Sequence, residues 1–247
     1  MKTNKSVIIT LLIVLGAIAV VLILVSQLRA NTIPKNSIQI NGQANLEVVP
    51  DLITIYYSVE TQGKTSEEAE NKNFEIVQKL ENYVISYGFS KDELKTQSFS
   101  IYPQYSWTSG KQNLIGYKAT HSLKIKLSTT ERDKIGNLID AGTKSGAGIS
   151  YINFELSDAL QAEYKAEAIK LAAADAKIKA DALAEGVNKK IGRLVSISLS
   201  EFGYYPWNIY SYAESGGDVA VARESVKDIT PSEQEVSAYV TAVYKFR

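Results

Sequence analysis

The chain has no cysteine and a single histidine, His121, among its 247 residues. Without thiols there is no disulfide, no thiolate metal centre and no lipid attached through an N-terminal cysteine. One imidazole has no second imidazole or thiol to join it in a metal cluster or a catalytic dyad, so no metal site is expected. Neither sign of charge prevails, with 27 lysines and arginines against 27 aspartates and glutamates. No global field therefore favours nucleic acid, which is not expected as a partner. The glycines lack the G-x-G-x-x-G and G-x-x-x-x-G-K-[ST] spacings that cradle phosphates. The serines lack the G-x-S-x-G elbow of acyl-transfer nucleophiles. No cofactor and no catalytic residue is expected, and the chain reads as a protein that is not an enzyme. The compartment is not settled by the missing cysteines, since exported domains also fold without disulfides.

What the chain does have is one long apolar run, Val7 to Val25, VIITLLIVLGAIAVVLILV. It carries no charge and no proline. At ~1.5 Å of helical rise per residue it spans roughly the ~30 Å hydrocarbon core of a bilayer. A helix also satisfies its own backbone hydrogen bonds there. The exit, Ser26 to Ala30, lacks a small-x-small cleavage signal, so the run reads as an anchor rather than a removed leader. Lys2 and Lys5 precede it, and Arg29 and Lys35 follow. That weak bias, with the free amine, places the N-terminus in the cytoplasm and the remainder outside, as a single-pass protein of the cell membrane. Residues 1–29 are thus read as the anchor and residues 30–37, which contain Pro34, as a linker.

The folded domain follows over residues 38–247. Ile38, Ile40, Gly42, Ala44, Leu46 and Val48 alternate with polar neighbours as a half-buried strand, and Leu52 to Gln62 resumes after Pro50-Asp51. Thr65-Ser-Glu-Glu68 is a capping box for a helix ending near Gly88. Lys95 to Trp107 and Gly116 to Leu127 form a hairpin. A shorter helix capped by Thr129 or Thr130 runs to about Ser145, and a strand covers Ile149 to Leu156. An alanine-rich helix capped by Asp158 runs from Ala159 to about Glu185, which permits close approach to a sheet. Strands over Arg193 to Glu201 and Val236 to Phe246 flank a long loop at 203–232. The fold class is α+β, a mainly antiparallel sheet with helices packed on one face, preceded by a single N-terminal transmembrane helix. The strand–helix–strand–strand–helix–strand rhythm raises the further expectation of two related sub-lobes.

In this order the residues resemble the SIMPL domain family, the group of the periplasmic immunogenic and oxidative-stress-defence proteins. The matching positions begin with Gly42-x-Ala44, Pro50-Asp51, Thr65, Ala69 and Asn73. They continue through Thr96-x-Ser98-Phe99-Ser100-Ile101-x-Pro103-x-Tyr105, Ile115 to Ala119, Leu123, Asp140, Gly146-Ala147 and Phe154-x-Leu156-Ser157-Asp158. The alanine helix adds Asp175-Ala176-Lys177-x-Lys179-Ala180 and Leu183-Ala184. The resemblance implies an exported or membrane-attached prokaryotic domain that associates with itself and is loosely linked to envelope stress. It supplies no reaction and no catalytic residue. The chain departs from the commonest pattern in its long apolar run and its aromatic loop.

His121 shares strand parity with Tyr117, Ala119, Leu123, Ile125 and Leu127, which makes it a core or edge residue. The aromatic residues are the stronger lead. Tyr102, Tyr105 and Trp107 lie at one hairpin end, and Tyr204, Tyr205, Trp207, Tyr210 and Tyr212 lie in the long loop. Such rings join apolar area to a polar handle. They fit local packing onto the sheet, an interface with another copy or an envelope protein, or contact with lipid headgroups. They also fit stacking on a cell-wall polysaccharide, with Trp107 and Trp207 as platforms.

Overall fold

A computed structural model describes residues 13–21, 36–108, 110–211 and 233–247. Among the described residues eight strands and three long helices follow residue 36. The strands are β1 (Ser37–Val48), β2 (Leu52–Gly63), β3 (Lys95–Thr108), β4 (Lys111–Ser128), β5 (Gly148–Glu155), β6 (Ile191–Tyr204), β7 (Trp207–Ser211) and β8 (Gln234–Phe246). The helices are α1 (Ser66–Ser86), α2 (Ile135–Ser145) and α3 (Asp158–Gly186). The α+β class holds, but the strands form two sheets rather than one, in the orders β3-β4-β2-β5-β7 and β1-β8-β6. The chain divides into two compact units, Asn45–Ala168 with Phe202–Ala238, and Met1–Ala44 with Ile169–Glu201 and Tyr239–Arg247.

In the first unit every neighbouring pair of the five-stranded sheet is antiparallel. The segment β2-α1-β3-β4-α2-β5 has the split β-α-β arrangement, in which each helix returns the chain past an intervening strand. The strand–helix rhythm of the sequence therefore builds one sheet, to which β7 adds a fifth strand. Alternate residues of β2 and β4 (Ile53, Ile55, Tyr57 and Val59; Leu123, Ile125 and Leu127) face a core closed by Val77, Leu80 and Val84 of α1 and Leu138 and Ile139 of α2. Each such large side chain contributes about 1.5–3 kcal/mol on burial. Tyr57 is fully buried and donates its hydroxyl to the Leu138 carbonyl at 3.0 Å.

Capping follows the sequence at α1 and departs from it at the other two helices. Thr65 Oγ1 accepts the Glu68 amide at 3.1 Å, and the Glu68 carboxylate accepts the Lys64 amide at 2.8 Å. Ser128, not Thr129 or Thr130, accepts the Thr130 amide, and a 3-10 turn over Thr129–Lys134 leads into α2. At α3 the hydroxyl of Ser157 accepts the Leu160 amide, so Asp158 stands in the first turn, where its charge meets the positive end of the helix dipole.

In the second unit, Ala176 and Ala180 of α3 pack with Ile40, Ala242 and Tyr244. The approach is so close that a Cβ on Gly42 would overlap the Ala172 carbonyl oxygen and come within 2.7 Å of the Ala176 Cβ. β1 and β8 run antiparallel, tied by Phe246 N–H to the Asn36 carbonyl at 3.0 Å and by the Thr241 hydroxyl to the Asn41 side chain at 3.0 Å.

Of the run Val7–Val25, residues 13–21 are helical and exposed, and the rest lies outside the described residues. Among the described residues no helix is long and apolar enough to cross a membrane. The region read as a loop from Gly203 opens with strand: β6 continues to Tyr204 and β7 follows. Residues 212–232 lie outside the described residues.

Candidate functional site

The face of the five-stranded sheet opposite α1 and α2 carries the side chains that the core leaves out. Antiparallel register lines up Tyr56 with Lys124, Ser58 with Ser122, and Glu60 with Thr120 on this face. Ser98 and Ser100 of β3 stand beside Ser122 and Thr120. A strict alternation would continue the pattern along β5, but β5 holds one residue too many. Tyr57 pairs with Ile149 and Tyr56 with Tyr151, which leaves Ser150 between them as a β-bulge. Ile149 and Ile152 are both buried although they stand three positions apart, an offset that puts two residues of a regular strand on opposite faces. The bulge reconciles the two and turns Ser150 and Tyr151 toward the same side. A second bulge at Gln97 interrupts β3 opposite Leu123 and Ser122.

Two hollows lie at these irregularities. The larger, about 590 Å³, is lined by Ser58, Glu60, Gly146, Gly148, Ile149, Ser150, Tyr151 and Ser211. The smaller, about 240 Å³, is lined by Tyr56, Tyr57, Gln97, Ser98, Ser122, Ser150 and Tyr151. Ser150 and Tyr151 border both. The Tyr151 ring stacks on Tyr56 with centroids 4.2 Å apart and planes at 26°.

Beside the stack, Glu155 is buried among donors. Its carboxylate accepts the Thr54 hydroxyl at 2.8 Å and the Tyr56 hydroxyl at 3.0 Å, with Lys126 Nζ at 3.9 Å. Burial first, and then the charge of Glu155, push the Tyr56 phenol well above its ordinary value, so it stays protonated and a donor. At the other end Lys118 bridges Glu60 at 2.6 Å, which raises the lysine and keeps it charged. The arrangement offers hydroxyls, an aromatic face and a carboxylate at the mouth of a groove. That is the equipment for holding a polar ligand.

His121 lies on the opposite face of the sheet. It is buried, with Nε2 2.9 Å from the Thr96 hydroxyl and Nδ1 3.2 Å from the Asn73 side-chain oxygen. Phe99 and Phe74 meet it edge-on. Burial lowers its pKa, against a weaker upward pull from Glu81.

The eight aromatics singled out from the sequence are dispersed. Tyr102, Tyr105 and Trp107 are exposed on the β3–β4 hairpin, at one edge of the sheet order. Trp207 and Tyr210 belong to β7 at the other edge. Tyr210 is buried in the core, and Trp207 stacks on Phe154 at 5.5 Å. The Tyr204 oxygen accepts the Leu156 amide at 2.6 Å, and Tyr205 is exposed. Tyr212 lies outside the described residues. Tyr56, Tyr151 and Ser150 were not singled out. The signal for them is the parity break in β5, where Ile149 and Ile152 cannot share a face of a regular strand.

Comparison with known proteins adds a family. The profile of a family described as "SIMPL: Protein of unknown function (DUF541)" matches residues 38–244. Uncharacterized protein YggE of Escherichia coli K12 is 28% identical over 180 residues, 72% of each chain. The 26 kDa periplasmic immunogenic protein of Brucella melitensis is 29% identical over 170 residues, 65% of each chain.

Proposed function

Since the chain belongs to the SIMPL family, we propose that it is an extracytoplasmic interaction module. In this reading it turns over no substrate, is tethered by its N-terminal apolar run, and assembles with further copies of itself. The observation that carries this reading is the β3–β4 arm. β2 ends at Gly63, opposite Tyr117, while β3 and β4 continue to pair with each other out to Thr108 and Lys111. A two-stranded ribbon is marginal in water on its own. This one exposes Tyr105, Trp107, Leu114 and Ile115, with Trp107 73% exposed. Tryptophan and tyrosine on a projecting edge are residues that dominate binding energy when a partner covers them. The word periplasmic in the name of the Brucella relative supports the placement outside the cytoplasm. The uncharged run Val7 to Val25, and the exposed apolar side chains along residues 13–21, support the tether.

Light scattering on the full chain in detergent tests the assembly. The wild type is expected to run as more than one copy, and Trp107→Ala with Tyr105→Ser to move it toward the monomer. A wild type that is monomeric at every concentration overturns this reading.

A further inference from the structure

We infer that the larger hollow on the sheet face is a binding site for a neutral saccharide, with Tyr151 as its stacking platform. Tyr56 covers one face of the Tyr151 ring, at 4.2 Å. The smaller hollow is bordered by both tyrosines, whereas the larger is bordered by Tyr151 and not by Tyr56. Tyr151 is 37% exposed, so stacking on Tyr56 leaves part of it open where it borders the larger hollow. An aromatic face fixed from behind is a rigid surface for the axial C–H groups of a pyranose, and ordering it on binding costs little side-chain entropy.

The rest of the lining fits the same ligand. Around the platform stand the hydroxyls of Ser58 and Ser150, with Ile149 the one aliphatic side chain. An apolar ligand would strand these groups without partners. A polyol satisfies them, because each of its hydroxyls both donates and accepts. Glu60 contributes a carboxylate whose side chain is 54% exposed and whose charge is balanced by Lys118. Carboxylates accept sugar hydroxyls in short, charge-assisted bonds. The paired charges leave no net field to select an ionic ligand. Gly146 and Gly148 leave the floor free of side chains. The volume lies within the range of small-ligand sites and takes a di- or trisaccharide. The bulge at Ser150 creates the site, since it brings two successive residues of β5 to one side.

Calorimetry on the full chain tests this, in phosphocholine micelles because sugar-headed detergents would compete. Chitotriose and maltotriose are the probes. At least one is expected to bind saturably with a Kd of about 1 mM or tighter. Tyr151→Ala should weaken it by about tenfold or more, while Tyr151→Phe, which keeps the ring, stays within about threefold. Glu60→Gln, at an exposed position, should weaken it by about fivefold without touching the fold, so it carries the test if Tyr151→Ala unfolds. Trp107→Ala should leave affinity unchanged, which separates this site from assembly through the arm. Three results overturn the inference. One is no binding of either trisaccharide up to about 10 mM. Another is unchanged affinity in both Tyr151→Ala and Glu60→Gln. The third is a single-stranded oligonucleotide binding where neither sugar does.

Discussion

Burial holds His121 below the ordinary imidazole value of 6.5, and its two ring nitrogens are already engaged by Thr96 and Asn73. Its folded pKa is depressed, so between the folded and unfolded values the native state binds fewer protons. The stability it contributes is complete above the unfolded value and is lost as pH falls below it. Urea titrations at about pH 7.5 and about pH 5.5 should show a drop for the wild type that His121→Gln reduces. Asn73 is buried as well, donating to the Val59 carbonyl at 2.9 Å while accepting at His121. Asn73→Ala should cost about 2–3 kcal/mol in the same titration, because it orphans a strand carbonyl beneath α1. Strand parity put His121 on the core face from the sequence alone. Its partners could not be read, because Asn73 and Thr96 reach it across long sequence separations. Asn73 and Asp51, which carry the family resemblance, turn out to be hydrogen-bonding parts of the frame: Asp51 accepts the Ser157 amide at 2.6 Å.

Among the elements, the helices were the most legible, because a run of alanines or a capping box is a local signal. The cap of α3 moved back one residue because the Ser157 hydroxyl reaches the Leu160 amide, and α2 starts from Lys134 with no side-chain cap, the Ser128 hydroxyl serving the 3-10 turn before it. The strands were legible wherever they alternate. β7 was missed because its five residues, Trp207–Ser211, are too short to establish a period. The division into two sheets was not legible either, because strand order depends on contacts that no local pattern records. Gly42 shows what the alanine face of α3 is for. Gly42→Ala would force β1 off Ala172 and Ala176, at a cost of about 3 kcal/mol or more in chemical denaturation. The bulge behaves in the opposite way. Deleting Ser150 leaves Ile149 and Ile152 both facing inward on a regular strand, so the deletion variant should stay folded, within about 2 kcal/mol of wild type by the same measurement.

At the scale of the whole molecule, the address rests on the apolar run. Alkaline carbonate should leave the full chain with the membrane pellet, and release into the supernatant would remove the tether. The three-stranded sheet joins strands that lie far apart along the chain. β1 takes β8 as its neighbour, and Thr241 bonds Asn41 across 200 residues of chain. β1 thus waits during synthesis for a partner made much later. Local pairing in the five-stranded sheet can proceed meanwhile, but this seam cannot form until the residues between the two strands have been made. For a domain proposed to act outside the cytoplasm such a delay is useful, because the three-stranded sheet stays unlocked until β8 (Gln234–Phe246) has followed its partner across.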